Sequence, residues 1–342
     1  MKARRWMAVI TIAALFSAPF SFAADDKIGI FETIRAANVS FDEATTALDT
    51  ALATSGLVLH AKHDVRVPGA MHKARVYVMT SPTYADVARD ESPNTISAQI
   101  LRVAVYTSGE DQATFVNMAN PVAHAMVFYA KSPNYDKLVA AAGAAAEEIR
   151  QLASAVPGAA MSGQQAPIRT EKHYNKYKGD GPARMMAKFR TFQKSQLVIT
   201  EDSAENFDKV VADVQAALTN SDVSSADEST GWEQVAVIRL RDDAVYIPHT
   251  NPNIEDNMVR INSRHRKDGK SDASPYPGVD HVTALPTDIL IVAEDGETRV
   301  LHYGQMWRMQ LYFWDSGYRA FTANVGVPGA IAKSIEETVT GD

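Results

Sequence analysis

Ser40-Phe41-Asp42-Glu43-Ala44-Thr45-Thr46-Ala47-Leu48-Asp49-Thr50-Ala51-Leu52-Ala53-Thr54-Ser55 and Asn206-Phe207-Asp208-Lys209-Val210-Val211-Ala212-Asp213-Val214-Gln215-Ala216-Ala217-Leu218-Thr219-Asn220-Ser221 are the two stretches whose reading decides the fold. Phe41, Ala44, Leu48 and Leu52 recur on one helical face, and Phe207, Val210, Val214 and Leu218 repeat that pattern position for position. Ser40 with Glu43 has the spacing of a capping box, and Asn206 is an equally favourable cap type. Two matched amphipathic helices predict an internal repeat.

The order around each helix is the same. Residues 57–67 and 74–79 read as strands, and 235–240 and 244–247 partly mirror them. Ser81-Pro82 and Asn251-Pro252 each open a short helical stretch. Ile100-Leu101-Arg102-Val103-Ala104-Val105-Tyr106 then runs into Ser108-Gly109-Glu110-Asp111. Its counterpart, Asp288-Ile289-Leu290-Ile291-Val292-Ala293, runs into Glu294-Asp295-Gly296-Glu297. A further strand follows at 113–118 and within 298–314, and a closing helix at 135–152 and about 329–339. The expected fold class is α+β, with two tandem two-layer domains, 28–155 and 196–340. Each is an antiparallel sheet with helices on one face. The uncovered sheet faces are expected to pack together as a pseudo-symmetric pair within the chain, or in a homodimer.

Residues 156–195 read as a basic linker. Pro157, Gly158, Gly163, Pro167, Gly179, Gly181 and Pro182 punctuate it. Arg169, Lys172, Lys176, Lys178, Arg184, Lys188, Arg190 and Lys194 outnumber Glu171 and Asp180. A short helix is expected near 183–192. The stretch is read as solvated, with an acidic partner or anionic surface as the sharper alternative.

Export is read from the first residues. Met1-Lys2-Ala3-Arg4-Arg5 is basic, residues 6–15 are apolar, and Ser21 and Ala23 suit a small-residue cleavage site. The run breaks at Pro19, short of a membrane span. A signal peptide over 1–23 and a periplasmic or secreted location are expected, with no transmembrane segment in the mature chain. The chain has no cysteine, so disulfides, thiolate metal sites and thiol nucleophiles are excluded. A net charge of −7 argues against nucleic-acid binding.

Each copy resembles the domain-of-unknown-function 302 (DUF302) family. The resemblance rests on the first strand, the Phe41-Asp42 and Phe207-Asp208 helices, and the Ser81-Pro82 and Asn251-Pro252 steps. Leu285-Pro286-Thr287-Asp288-Ile289-Leu290-Ile291-Val292, its acidic-Gly turn, and Asn117-Met118-Ala119-Asn120-Pro121 add to it. It implies a small α+β fold similar to the TATA-binding-protein half-domain and supplies no established activity. Many relatives carry a cysteine where this chain has Thr287, and the first copy has no Leu-Pro step, so a cysteine-dependent role does not transfer. An insertion-like stretch at 263–279 is expected to be a surface loop.

No P-loop, dinucleotide fingerprint, zinc-protease motif or nucleophile elbow is present. Two candidate sites remain. His60, His63, Met71 and His72 lie close in sequence, and imidazole with thioether suits copper. On a straight strand, however, His60 and His63 point to opposite faces. Trp307, Met309, Leu311 and Phe313 read as one face of a strand, with Met306, Arg308, Tyr312 and Trp314 opposite. Repeat packing is the expected cover for that second face. The functional alternative is a small ligand such as a flat anionic, haem-like ring, or a protein partner. The leading expectation is a non-enzymatic exported binding or interaction module. A metal- or cofactor-binding redox accessory protein and a dispersed-site hydrolase are the alternatives, and no cofactor is specified.

Overall fold

The computed structural model describes residues 26–68, 72–165, 168–177, 179–180, 196–221, 231–261 and 277–341. The expected leader, Met71, the expected 183–192 helix and most of the 263–279 loop lie outside them.

The first copy opens with β1 (Lys27–Ile28) and β2 (Phe31–Ala37). In α1 (Phe41–Leu52) the Ser40 hydroxyl accepts from the Glu43 amide, and the Glu43 carboxylate takes the Ser40 amide. The expected capping box is therefore formed. β3 (Val58–Asp64), β4 (Ala74–Thr80), α2 (Pro82–Val87) and a 3₁₀ segment (Pro93–Gln99) follow. β5 (Leu101–Ser108), β6 (Ala113–Ala119), α3 (Pro121–Phe128) and α4 (Tyr135–Ala153) complete the unit. The connector holds β7 (Gly158–Gln165), β8 (Arg169–Thr170) and α5 (Glu171–Asn175).

The second copy repeats the order. It runs β9 (Gln196–Ser203), α6 (Phe207–Asn220), β10 (Glu233–Gln234), β11 (Ile238–Arg241), β12 (Ala244–Thr250) and α7 (Pro252–Val259). A second 3₁₀ segment (Pro277–Ala284), β13 (Thr287–Glu294), β14 (Glu297–Tyr303) and α8 (Gln305–Phe313) come next. α9 (Gly317–Ala323) and α10 (Val327–Thr340) close it.

Two antiparallel sheets result, ordered β3-β4-β5-β6-β2-β7 and β10-β12-β13-β14-β9, with β11 also paired to β12. The repeat extends to an irregularity. The β2–β6 register slips at Ile34 and the β9–β14 register slips at Ile199, so each copy bulges at an isoleucine.

Three expectations change. The first part of the linker is a strand: β7 pairs antiparallel with β2, Phe31 opposite Gln165 and Ala37 opposite Gly158. Gly158 allows it, because a Cβ there would lie 2.1 Å from the Ala36 carbonyl and its φ is +144°. Asn206 does not cap α6 with its side chain; the helix is entered through a 3₁₀ turn, and Asn206 donates to Asp202 instead. Residues 305–313 form helix α8 rather than a strand. Met, Gln, Leu and Arg are helix formers, and the stretch has no β-branched residue. Helical spacing keeps Arg308 and Tyr312 on one side, one turn apart, and separates them from Met306 and Trp314.

β12 is buried along its whole length, and most of β5 and β13 is too, so both faces of each sheet are covered. On one face lie the copy's own helices: α1 and α4 on the first sheet, α6 and α10 on the second. On the other face lies the opposite copy. The second 3₁₀ segment packs on β4, β5 and β6, and the first packs on β12 and β13. The copies thus exchange the same element, as expected for a pseudo-symmetric pair.

Because each 3₁₀ segment covers the other copy's sheet, fragments 26–180 and 196–342 should co-purify as a one-to-one complex when co-expressed. Expressed alone, 196–342 should aggregate or self-associate. Analytical ultracentrifugation finding two monomers that ignore each other would refute this pairing.

Candidate functional site

The two copies meet around buried charge. β4 and β12 end at Thr80 and Thr250, directly before the Ser-Pro and Asn-Pro steps. Their registers place Val78 opposite Arg102 and Pro248 opposite Asp288. Arg102 and Asp288 are therefore equivalent positions, and both face the opposite copy. The Arg102 guanidinium donates to the Ala284 carbonyl (3.3 Å) and to the Tyr312 hydroxyl (2.7 Å), and lies over the Tyr312 ring. Asp288 accepts from Ser97 at 3.2 Å and pairs with Arg308. Arg308 also donates to the Ala284 carbonyl at 2.9 Å.

His124 occupies the position equivalent to Arg308, because each backbone amide bonds the residue that precedes its helix, Asn120 or Gly304. Burial and the neighbouring Arg102 cation hold the His124 pKa well below the usual imidazole value. A neutral ring can accept at Nε2 from the Tyr312 hydroxyl, 2.8 Å away.

Further bridges flank this centre. His281 faces carboxylates on both sides, Asp280 at 2.5 Å and Asp315 at 2.9 Å, with Phe313 stacked on its ring. Asn117 donates to the Asp280 carbonyl, and Tyr303 donates to the Asn94 carbonyl. At the rim, Glu255 accepts from His63 (2.5 Å), Thr250 (3.0 Å) and the Arg66 amide (2.7 Å). Burial disfavours charge on His63, but the Glu255 carboxylate outweighs it and the pKa is raised.

The expected metal ligands are directed apart. His60 bonds the Thr80 hydroxyl at 2.9 Å, whereas His63 reaches across to Glu255. His72 is buried, and Met71 lies outside the described residues. Among the described residues no group of three His, Asp or Glu side chains is arranged to hold a metal.

The expected ligand face divides as well. Arg308 and Tyr312 are buried at the joint between copies. Trp314 and Tyr312 border a small void beside Arg169 and Asp315. Met306 is partly buried against the core.

Arg308 and Tyr312 also border a larger apolar cavity in the second copy. It is enclosed by α7, α8 and the start of α10, with Ile254, Met258, Met309, Phe313, Val327 and Ile331 in its wall. Its void is about 70 Å³, or about 550 Å³ with the open mouth included. Asn257, exposed, and Asn324, partly exposed, also line it.

Comparison of the copies explains the space. Ile254 occupies the position of Tyr84, and Phe313 that of Tyr129; both tyrosines are fully buried in the first copy. There α2 packs directly on α4, whereas α7 and α10 scarcely touch. The 3₁₀ turn Trp314–Ser316 and α9 are inserted between α8 and α10, where the first copy has only residues 129–134. A smaller side chain and a displaced helix leave the gap. Aligning the two copies in the sequence would have exposed the Tyr84-to-Ile254 change, but no local motif marks it.

The helix-facing side of the second sheet differs too. His249 and His302 stand where the first copy has Met79 and Met118, and both are fully buried. His249 packs 4.7 Å from the Trp232 ring. Burial lowers the His249 pKa to about 3, and it also lowers that of His302.

No family model, no curated protein and no solved structure matches this chain.

The buried imidazoles set a pH dependence. Unfolded histidines take up protons below about pH 6.5, whereas His249 stays neutral in the fold until about pH 3. The stabilising contribution of His249 is complete above pH 6.5 and is lost as pH falls toward 3, and the lowered His302 pKa acts in the same direction. At pH 5 the His249 contribution alone should be lower by about 2 kcal/mol. His63 acts oppositely: its raised pKa gives a contribution present below 6.5 and lost as pH rises through the raised value. Urea titrations of His249→Met/His302→Met should show a flatter decline between pH 7 and 5 than wild type. An unchanged slope would mean other groups carry the acid lability.

Proposed function

We propose that this chain is an exported, periplasmic or secreted, non-enzymatic binding protein whose second copy takes up a small apolar ligand. The observation that carries the reading is the cavity between α7, α8 and α10, open in one copy where the other is filled by Tyr84. Its wall is apolar, and its titratable members, Arg308 and Tyr312, are engaged at the joint. Arg308 thus has its charge met by Asp288 and does not favour an anionic ring. Carboxamides at the mouth suit an uncharged polar end on the ligand, with a short aliphatic or single-ring body inside. The leader sequence supports export, and a relationship to the DUF302 family is part of the same proposal. Among the described residues no helix is long and apolar enough to cross a membrane.

Ile254→Tyr restores the first copy's side chain and provides the test. n-Hexanol should raise the melting temperature of the wild-type protein, increasingly as its concentration exceeds the dissociation constant. The variant should melt at or above the wild-type temperature and show no such rise. Equal hexanol stabilisation of both proteins would place binding elsewhere.

A further inference from the structure

The internal repeat also provides a template for an open sheet edge. In the first copy β2 has strands on both sides, β6 and β7. The equivalent strand of the second copy, β9, has β14 on one side and, among the described residues, nothing on the other. The two strands share their bulge, at Ile34 and Ile199, so the outer edge of β9 has the form of an edge that accepts a strand in this same chain. Val198, equivalent to Thr33, is 45 % exposed on it. A groove of about 390 Å³ runs between β9 and α10, lined by Val198, Ile199, Lys333, Glu336, Glu337 and Thr340.

We propose that the β9 edge docks an extended, basic peptide segment of a partner protein, added as an antiparallel strand where the first copy carries its own β7. Strand addition satisfies the unpaired backbone groups of an edge and draws specificity from alternate side chains. β7 shows the apolar part of the fit: Gly158-Ala159-Ala160-Met161 are small or flexible residues. Charge sets the sign of the partner. Glu201 and Asp202 are exposed at one end of β9, and among the described residues Glu336 and Glu337 line the groove against one cation, Lys333. Lys333 is itself paired with Glu337. Those acidic groups also disfavour a second β9 edge as the occupant. This surface is separate from the apolar cavity, so Ile254→Tyr should leave it unaffected.

The test uses the full mature chain and two fluorescent peptides. Each copies residues 158–165, one preceded by three lysines and the other by three glutamates, because in the β7 register residue 158 lies at the Glu201–Asp202 end of the edge. The lysine peptide should bind, weakening roughly tenfold from low to high salt, and should protect β9 amides from hydrogen exchange. The glutamate peptide should bind at least about tenfold more weakly. Val198→Lys, an exposed change that blunts the edge, should weaken the lysine peptide roughly tenfold or more. Glu201→Gln/Glu337→Gln should reduce the salt dependence while keeping the edge. Failure of both peptides to bind, or equal binding of both, would overturn the proposal. So would β9 amides already protected in the peptide-free monomer, or protected only as the protein dimerises.

Discussion

The carbonyl oxygen of Ala284 accepts from two guanidinium groups, Arg102 of the first copy and Arg308 of the second. Both side chains are buried at the joint. Removing such cations from water is costly and is tolerated only where their donors are met. Arg308 has Asp288, but among the described residues Arg102 forms no ion pair and relies on neutral oxygens and the face of Tyr312. This demand fixes the second 3₁₀ segment against β5, since only there does its last carbonyl reach both groups. It also orients α8, whose Arg308 and Tyr312 sit one turn apart. The apolar cavity is built on the outer side of that same helix.

Duplication alone would not produce this joint. Two identical copies facing each other would put like charges at the Arg102 and Asp288 positions. Divergence at equivalent sites resolves the conflict: arginine against aspartate, and histidine against arginine at 124 and 308. The same freedom acts away from the axis. Tyr84 closes the first copy, and Ile254 with the α9 insertion opens the second. Met79 and Met118 form an ordinary apolar core, whereas His249 and His302 make the corresponding core sensitive to acid.

The connector contributes as structure rather than as a tether. β7 widens the first sheet, and β8 pairs with β1. Arg169, fully buried and ringed by Tyr174 and Tyr177, pairs with Asp180 and donates to the Gln310 and Leu311 carbonyls. Those carbonyls lie in the last turn of α8, where a helix lacks its own donors. The Tyr174 hydroxyl holds the Ile28 carbonyl at 3.1 Å, tying the start of the described chain to the same strap. A composition rich in Pro, Gly and Lys concealed this, because the decisive contacts are made by a few residues among many solvated ones.

By itself the sequence determined the repeat, the fold class, the Ser40–Glu43 capping box, the Pro-initiated helices and the order of most elements along the chain, since these depend on local periodicity and on residues within a turn of each other. The 305–313 element was misread because a nearly continuous apolar run satisfies periods of two and 3.6 alike; the arbiter was Arg308 reaching Asp288, a contact made across the fold. His60 and His63 looked like neighbours in a site, yet a bulged strand and the opposite copy gave them unrelated partners. The charges of Arg102 and Asp288 were visible inside apolar strands, but their partners, the Ala284 carbonyl and Tyr312 for the one and Arg308 and Ser97 for the other, required knowing that two sheets meet face to face. The cavity was least legible of all: it is an absence left by Ile254 and a displaced helix, and only the packing of α7, α8 and α10 in three dimensions determines whether such a gap closes.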